Sequence, residues 1–443
     1  MDTSTKEQKE AFVTGHVGTT AWEVLLVCLS APIGLACFQV LPPLQQKWQS
    51  ILKEALVIWL PMVLCQTNYL YPWGVFILAL QITLIIIFKK ATKLQASTGD
   101  VPASKHLDYL TIYRSTLLYL TFVAILAVDF HVFPRRFAKT EMSGYGLMDI
   151  GAASFVLSAG FVSPKARGKA VLFSTHRHLW HTLPLLILGF VRLATNKGLE
   201  YQEHVSEYGV HWNFFFTLGA LSLVAPLVPT STPTWYLPII ILTVYQLALS
   251  FGLQTFIQDA PRQCQGGNQI CNLYAANREG ILGCIGYLAV YLLGETIGHR
   301  FLWGSSKGLV GLTSVLWVVL FLLVHGMQIP VSRRSTNASF CVWTTAHNIL
   351  LLTLIKAATS FGKGSIPYLP IVMEAVNRHG LLMFLIANLL TGLVNLTIPT
   401  LEVRDPWAFL VVFTYISVVG AAALLLDQVN HMLVGRIKKM KHK

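Results

Sequence analysis

Thirteen residues, Asp129 to Glu141, read DFHVFPRRFAKTE and hold six ionisable side chains, a histidine among them. They lie between the apolar runs STLLYLTFVAILAV and GLMDIGAASFVLSAGF. A carboxylate at the end of an apolar run loses solvation and gains affinity for a proton, while an ammonium close by opposes that shift. Asp129 and Lys139 are such a pair of types, able to keep a carboxylate ionised yet basic. Pro134, between them, cannot continue a helix, so the chain can turn and bring residues ten apart towards one another. The chemistry these types suit is removal of a proton beside a developing negative charge.

Positioning such groups falls to membrane helices. The 443 residues are 54% hydrophobic and 12% charged, too apolar to cover a soluble surface, and the apolar residues come in blocks long enough to span a bilayer core. Backbone groups in lipid must bond within their own segment, and no ten-residue alternation of the barrel kind is present, so an all-α polytopic membrane protein is expected. Hydropathy predicts about thirteen spans, near 20–42, 54–67, 72–88, 111–128, 147–163, 179–195, 211–229, 236–255, 280–298, 309–327, 340–356, 380–398 and 406–426. They make one bundle over residues 1–443, a single transmembrane domain with a short luminal segment 1–19 and a cytosolic tail 427–443.

Orientation follows from charge. With the N-terminus luminal, roughly two-thirds of the 33 Lys and Arg fall on the cytosolic side, including KKATK, SPKARGK and RIKKMKHK, and the acidic residues sort the opposite way. The +13 net charge then belongs to the cytosolic face and its anionic lipid. It does not point to nucleic acid, because no soluble basic module could hold a duplex. No cleavable signal peptide is expected, since the first twenty residues lack an apolar core. Cys28, Cys37, Cys65, Cys284 and Cys341 sit in apolar helices as small hydrophobes. Cys264 and Cys271, in the loop CQGGNQIC, are placed for a luminal disulfide; zinc would need further ligands, and the loop has no histidine.

The same topology sends four mixed polar clusters to the luminal side. They are Asp129 to Glu141; Arg192 with Glu203, His204, Glu207, Tyr208, His211, Trp212 and Asn213; Asn277, Arg278 and Glu279; and Arg333 with Arg334. Each has a plain alternative. Arg135 and Arg136 suit headgroup anchoring, Glu203, Glu207 and His211 suit one solvated helix face, and Trp212 with Phe214 to Phe216 suits an aromatic belt. His325, His347, Glu23 and Glu295, inside spans, suit core hydrogen bonding. Mixed polar groups at a membrane edge are expensive unless they serve a site, and their gathering on one side is what favours function there.

The strings KEAFVTGHVGTTAWE, ILAVDFHVFPRRFAKTE, GLMDIGAASFVLSAG, LEYQEHVSEYGVHWNFF, AANREGI, SRRSTN and LLMFLIANLLTGLVN, in that order, closely resemble the motifs of the inositol acyltransferase family of glycosylphosphatidylinositol (GPI) anchor biosynthesis, the PIG-W family. The resemblance covers residues 6 to 398 or so. It implies a multi-pass enzyme of the endoplasmic-reticulum membrane that moves a fatty acyl group, typically palmitoyl, from acyl-CoA to the inositol 2-hydroxyl of glucosaminyl-phosphatidylinositol. It also implies Asp129 and Lys139 as the essential pair, both motif positions being intact. The phosphodiester and the coenzyme A phosphates would call for Arg135, Arg136, Arg278 or Arg333. The glucosamine would suit Glu203, Glu207, Tyr208, His211, Trp212 and Asn213, with His204 and Asn277 as further substrate-binding residues. Acyl-CoA is then a co-substrate, no permanently bound cofactor or metal is expected, and the donor comes from the face opposite the polar site. Other classes remain open: a lipid flippase, though no repeated halves are visible; a non-catalytic scaffold; and an acyltransferase built round an intramembrane histidine, for which His347 would serve. Lys439 and Lys441 in the tail resemble a dilysine retrieval signal, and Asn337 in NAS meets the glycosylation pattern but stands too near a span to be modified.

Overall fold

The computed structural model describes residues 11–93, 108–169, 175–199, 205–228, 232–264, 267–305, 307–361 and 369–441. Among them regular structure is helical, and β pairing is confined to one isolated bridge between Thr19 and Tyr145. Thirteen apolar helices recur in chain order: α1 Ala21–Val40, α2 Lys47–Cys65, α3 Leu70–Lys89, α4 Asp108–Ala127, α5 Ile150–Phe161, α6 Thr182–Ala194, α7 Phe214–Leu227, α8 Tyr236–Asp259, α9 Arg278–Leu302, α10 Leu309–Gly326, α11 Ala338–Thr359, α12 Gly380–Thr397 and α13 Asp405–Leu433. Ten of these, among the described residues, are long and apolar enough to cross a membrane, so this is a multi-pass membrane protein. The others, α5, α6 and α7, have shorter apolar stretches. The twelve residues of α5 rise only about 18 Å as a helix, against a hydrocarbon core of about 30 Å.

Contacts group the chain into two compact units, each discontinuous in sequence. Unit 1 comprises Met1–Ala21 and Ala138–Ile349; unit 2 comprises Trp22–Phe137 and Leu350–Lys443. Within unit 1, α5 and α9 lie backbone to backbone. A Cβ on Gly160 would stand 2.4 Å from the Tyr291 carbonyl oxygen, and one on Gly294 would stand 2.5 Å from that of Leu157. Small residues let helices approach closely where lipid offers no hydrophobic drive for association.

In unit 2, α4 packs against α12, α13 and a short helix, Ile371–Arg378. That helix begins on a carboxylate from α2. Glu54, fully buried, accepts from Val372 N at 3.0 Å and Met373 N at 2.9 Å, satisfying donors that no residue of the helix itself caps. Trp59 stacks on Tyr119 beside it, with ring centroids 5.6 Å apart.

Candidate functional site

Unit 2 holds the turn that follows α4. After Ala127 the chain leaves the helix, and Pro134 leads into one 3-10 turn, Arg135–Phe137. Released backbone carbonyls need donors, and Arg135 supplies them: its guanidinium donates to Phe133 O at 2.9 and 3.1 Å and to Phe130 O at 3.1 Å. Burial lowers the Arg135 pKa to about 10, opposed by the charge of Asp129. Asn68 clamps the same turn, its backbone N donating to Val132 O at 2.7 Å and its amide to His131 O and Asp405 Oδ2, both at 3.0 Å. Asp129 itself is half-buried and accepts at Oδ2 from Asn395 Nδ2 of α12, at 2.7 Å. Arg136 is exposed and forks onto Glu23 of α1 at 3.0 and 3.2 Å, while the Tyr71 hydroxyl donates to the same carboxylate at 2.7 Å.

Unit 1 holds a chain of charges that runs from part-buried Lys139 and Glu207 to buried Arg333 and Asp149. Lys139 donates to Glu207 Oε2; Glu207 Oε1 lies 2.8 Å from Arg333 Nη1; Arg333 Nε lies 2.8 Å from Asp149 Oδ1. Asp149 also accepts from Thr140 N at 3.1 Å and from its hydroxyl at 2.8 Å. Two cations and two carboxylates cancel, so the ammonium of Lys139 is not a surplus charge; it shares Glu207 with a guanidinium. Burial raises the Asp149 pKa, with Arg333 opposing. Burial also works against the Arg333 charge, but Glu207 and Asp149 outweigh it and hold that pKa above its usual value. Tyr208, buried next to Glu207, has its phenol pushed well up by desolvation.

The loop carrying Arg333 is strained. Thr336 is β-branched yet has φ +47°, in the left-handed region such residues avoid, and is buried. Its N and hydroxyl both donate to Arg333 O, at 3.0 and 3.2 Å. Asn337 closes the loop, accepting from Ser332 N at 3.2 Å and Phe340 N at 3.0 Å and donating to Pro330 O at 2.7 Å. Backbone strain held by this many bonds is a mark of functional loops.

Several residues expected to touch substrate have other work. Asn213 caps α7, accepting from Phe215 N at 3.0 Å and Phe216 N at 3.3 Å and donating to Gly189 O at 2.9 Å. The Asn277 side chain accepts from His211 N at 2.7 Å and Trp212 N at 2.9 Å, fixing the bend at Gly209, whose φ is +104°. Arg278 is almost wholly buried and donates to Ile257 O, Pro261 O and Ala275 O. Arg334 and Arg262 pair with the buried Glu279. These are donors and acceptors spent on helix ends and loops. His211 and Trp212 are part-buried, with the Trp212 indole donating to Thr217 Oγ1 at 3.0 Å and its ring over Gly280, where a Cβ would come within 2.3 Å. Glu203 and His204 lie outside the described residues. His347 is buried on α11, with its ring 6.5 Å from Trp343. Cys264 and Cys271 are joined in a disulfide.

Residues the motifs did not single out are Asp149, which completes the ion chain, and Asn395, which holds Asp129. Each was visible as a polar residue at the edge of an apolar run, but its partner lies far away in sequence.

An all-helical multi-pass membrane protein with a charge-balanced, partly buried ion chain in one unit and a clamped Asp turn in the other is the class these features define. The chain belongs to the GWT1 family, whose model matches residues 5–426. It is similar to "GPI-anchored wall transfer protein 1" of Aspergillus oryzae, 35% identical over 97% of this chain and 99% of that one. The proteins of the same name from Yarrowia lipolytica, 36% identical over 73% of each chain, and Saccharomyces cerevisiae, 32% identical over 95% of this chain and 97% of that one, are similar too.

Proposed function

We propose that this protein acts in GPI-anchor biosynthesis, in the endoplasmic-reticulum membrane, as the acyltransferase that moves a long-chain fatty acyl group, palmitoyl for preference, from acyl-CoA to the inositol 2-hydroxyl of glucosaminyl-phosphatidylinositol. The observation that carries this reading is family membership over nearly the whole chain, alongside relatives named for GPI-anchored wall transfer. The topology proposed with it is thirteen crossings, with the three shorter helices completed by their flanking residues, the N-terminus luminal and the C-terminus cytosolic.

The chemistry asks for a base and an anion holder. The inositol oxygen attacks the thioester carbonyl carbon while its proton passes to the Asp129 carboxylate. The carbonyl oxygen becomes an oxyanion facing the Lys139 ammonium. The C–S bond then breaks, coenzyme A leaves as a thiolate and takes up the proton, and the ester remains on inositol. A thiolate with a parent pKa of about 8.5 leaves without a strong acid. Glu207 holds Lys139 before reaction, and because Arg333 shares that carboxylate, the ammonium can turn to a developing oxyanion without stranding Glu207. Arg136, exposed, suits a phosphate, whereas Arg333, buried between Asp149 and Glu207, is spent on the ion chain; Tyr208, His211 and Trp212 suit the sugar.

The test is transfer of radiolabelled acyl groups from acyl-CoA to glucosaminyl-phosphatidylinositol by purified protein. Asp129→Asn and Lys139→Ala should each lower turnover about a hundredfold with normal expression. Full activity in either variant removes that residue from the mechanism, and no transfer by the parent protein removes the function.

A further inference from the structure

The motif LLMFLIANLLTGLVN ends on Asn395, a polar amide in the last turn of α12. Its Nδ2 donates to Asp129 Oδ2 at 2.7 Å and to Thr391 O at 3.2 Å. A backbone carbonyl can only accept, so the NH2 end of the amide must face this way, and its two hydrogens serve the two oxygens. The orientation is therefore fixed by chemistry. Back-bonding to Thr391, one turn earlier on the same helix, locks the amide to α12, and α12 is locked to α13 through the Tyr415 hydroxyl, which donates to Ala387 O at 3.1 Å. The carboxylate is thus tied to a rigid helix, although it stands on a turn.

From this geometry we infer that Asn395 is a positioning residue for Asp129, aiming its carboxylate at the acceptor hydroxyl and favouring its ionised form. The inference rests on the proposed role of Asp129 as base. An amide N–H donated to a carboxylate is a charge-assisted hydrogen bond, stronger with the ionised than with the protonated acid. It works in the same direction as Arg135, the cation coupled to Asp129. Asp405 is tied to the turn through Asn68, which also donates to the His131 carbonyl, and Arg136 on the turn pairs with Glu23, to which Tyr71 donates. Without the amide the carboxylate would lose its bond to α12 and one donor that favours its ionised form, and would hold its proton to higher pH.

The experiment compares Asn395→Leu, Asn395→Asp and, from the same helix, Asn388→Leu, whose wild-type amide bonds only to its own helix at Phe384 O among the contacts described. Acyl transfer is measured against pH in purified, folded protein. Asn395→Leu should lower kcat about tenfold or more with KM little changed, the scale of one lost hydrogen bond to a charged group, and should move the acid limb of kcat/KM upward. Asn395→Asp, nearly isosteric, should move it further, because two carboxylates in contact cannot both ionise. Asn388→Leu should behave as the parent. Wild-type rate and pH profile in Asn395→Leu, or an equal loss at every pH with the limb unmoved, would overturn the inference while leaving an inactive Asp129→Asn in place. An active Asp129→Asn would overturn both readings together.

Discussion

Replacing Arg333 by Leu removes the one guanidinium that bridges Asp149 and Glu207, each 2.8 Å away. Glu207 keeps Lys139, and its side chain is 16% exposed, so most of the cost falls on Asp149, which is 1% exposed and retains only the hydrogen bonds from Thr140 among its described partners. Stripping one partner from a buried ion pair costs about 3–5 kcal/mol. For a unit of this size that lowers an unfolding midpoint by something on the order of 10 °C. The loss should depend on pH, and its sign follows from Asp149. Burial already raises its folded pKa above the unfolded value, so the folded state holds the proton more tightly. Stability falls as pH rises from the unfolded pKa through the folded one. Without Arg333 the folded pKa rises further and the window widens upward, so Arg333→Leu should be nearest to the parent in acid and furthest from it at neutral pH. Thiol-reactive labelling during a thermal ramp in detergent, followed at Cys341 by mass spectrometry, reads this, because Cys341 of unit 1 is buried in the fold. Adding Asp149→Asn to Arg333→Leu should recover part of the loss. A midpoint within about 1 °C of the parent, or a decrease identical at pH 5 and pH 8, would refute the claim that Arg333 neutralises a buried carboxylate.

Three further outcomes are expected. Asn213→Ala should cost about 1 kcal/mol of stability, the usual worth of an N-cap, with acyl transfer per folded molecule unchanged; full stability with lost activity would return Asn213 to the sugar site. Gly280→Ala should be destabilised and should release Trp212, because its Cβ would fall 2.3 Å from the indole, and an unchanged tryptophan emission would contradict that packing. Asn337 should carry no glycan, since its side chain is buried and bonded at both ends; a mobility shift on glycosidase treatment that vanishes in Asn337→Gln would show otherwise.

Among the described residues, hydropathy placed a span over each of the apolar helices, because a bilayer core imposes a length that a window of that size detects. It could not tell that α5 is a short helix, since Leu147, which precedes it, is equally apolar and buried in a non-helical lead-in. The reactive stretch announced itself through Asp129, Pro134 and Lys139 because charge beside lipid is rare. The partners that hold those residues were not legible. Asp149 with Arg333, and Asp129 with Asn395, are pairs across nearly two hundred residues or more, and no local period encodes such a meeting. Asn213 is the opposite case. An amide directly before an apolar helical run is a cap signal, so its role was legible in the sequence, whereas the family resemblance implied a sugar contact there instead.

The interleaving of the two units has a consequence for how the chain is made. Asp129 and its amide partner are 266 positions apart, and at about 5–20 residues per second of synthesis roughly 15–50 s pass between them. Throughout that interval α4 and its turn stand in the membrane without α12 and α13, and Glu54 waits for the helix it caps. Unit 1, contiguous from Ala138 to Ile349 apart from its first segment, can complete itself first. Unit 2 is therefore a nascent half-structure that must be sheltered until the last helices arrive, and a frameshift late in the message would spoil the earliest-made helices as surely as the latest.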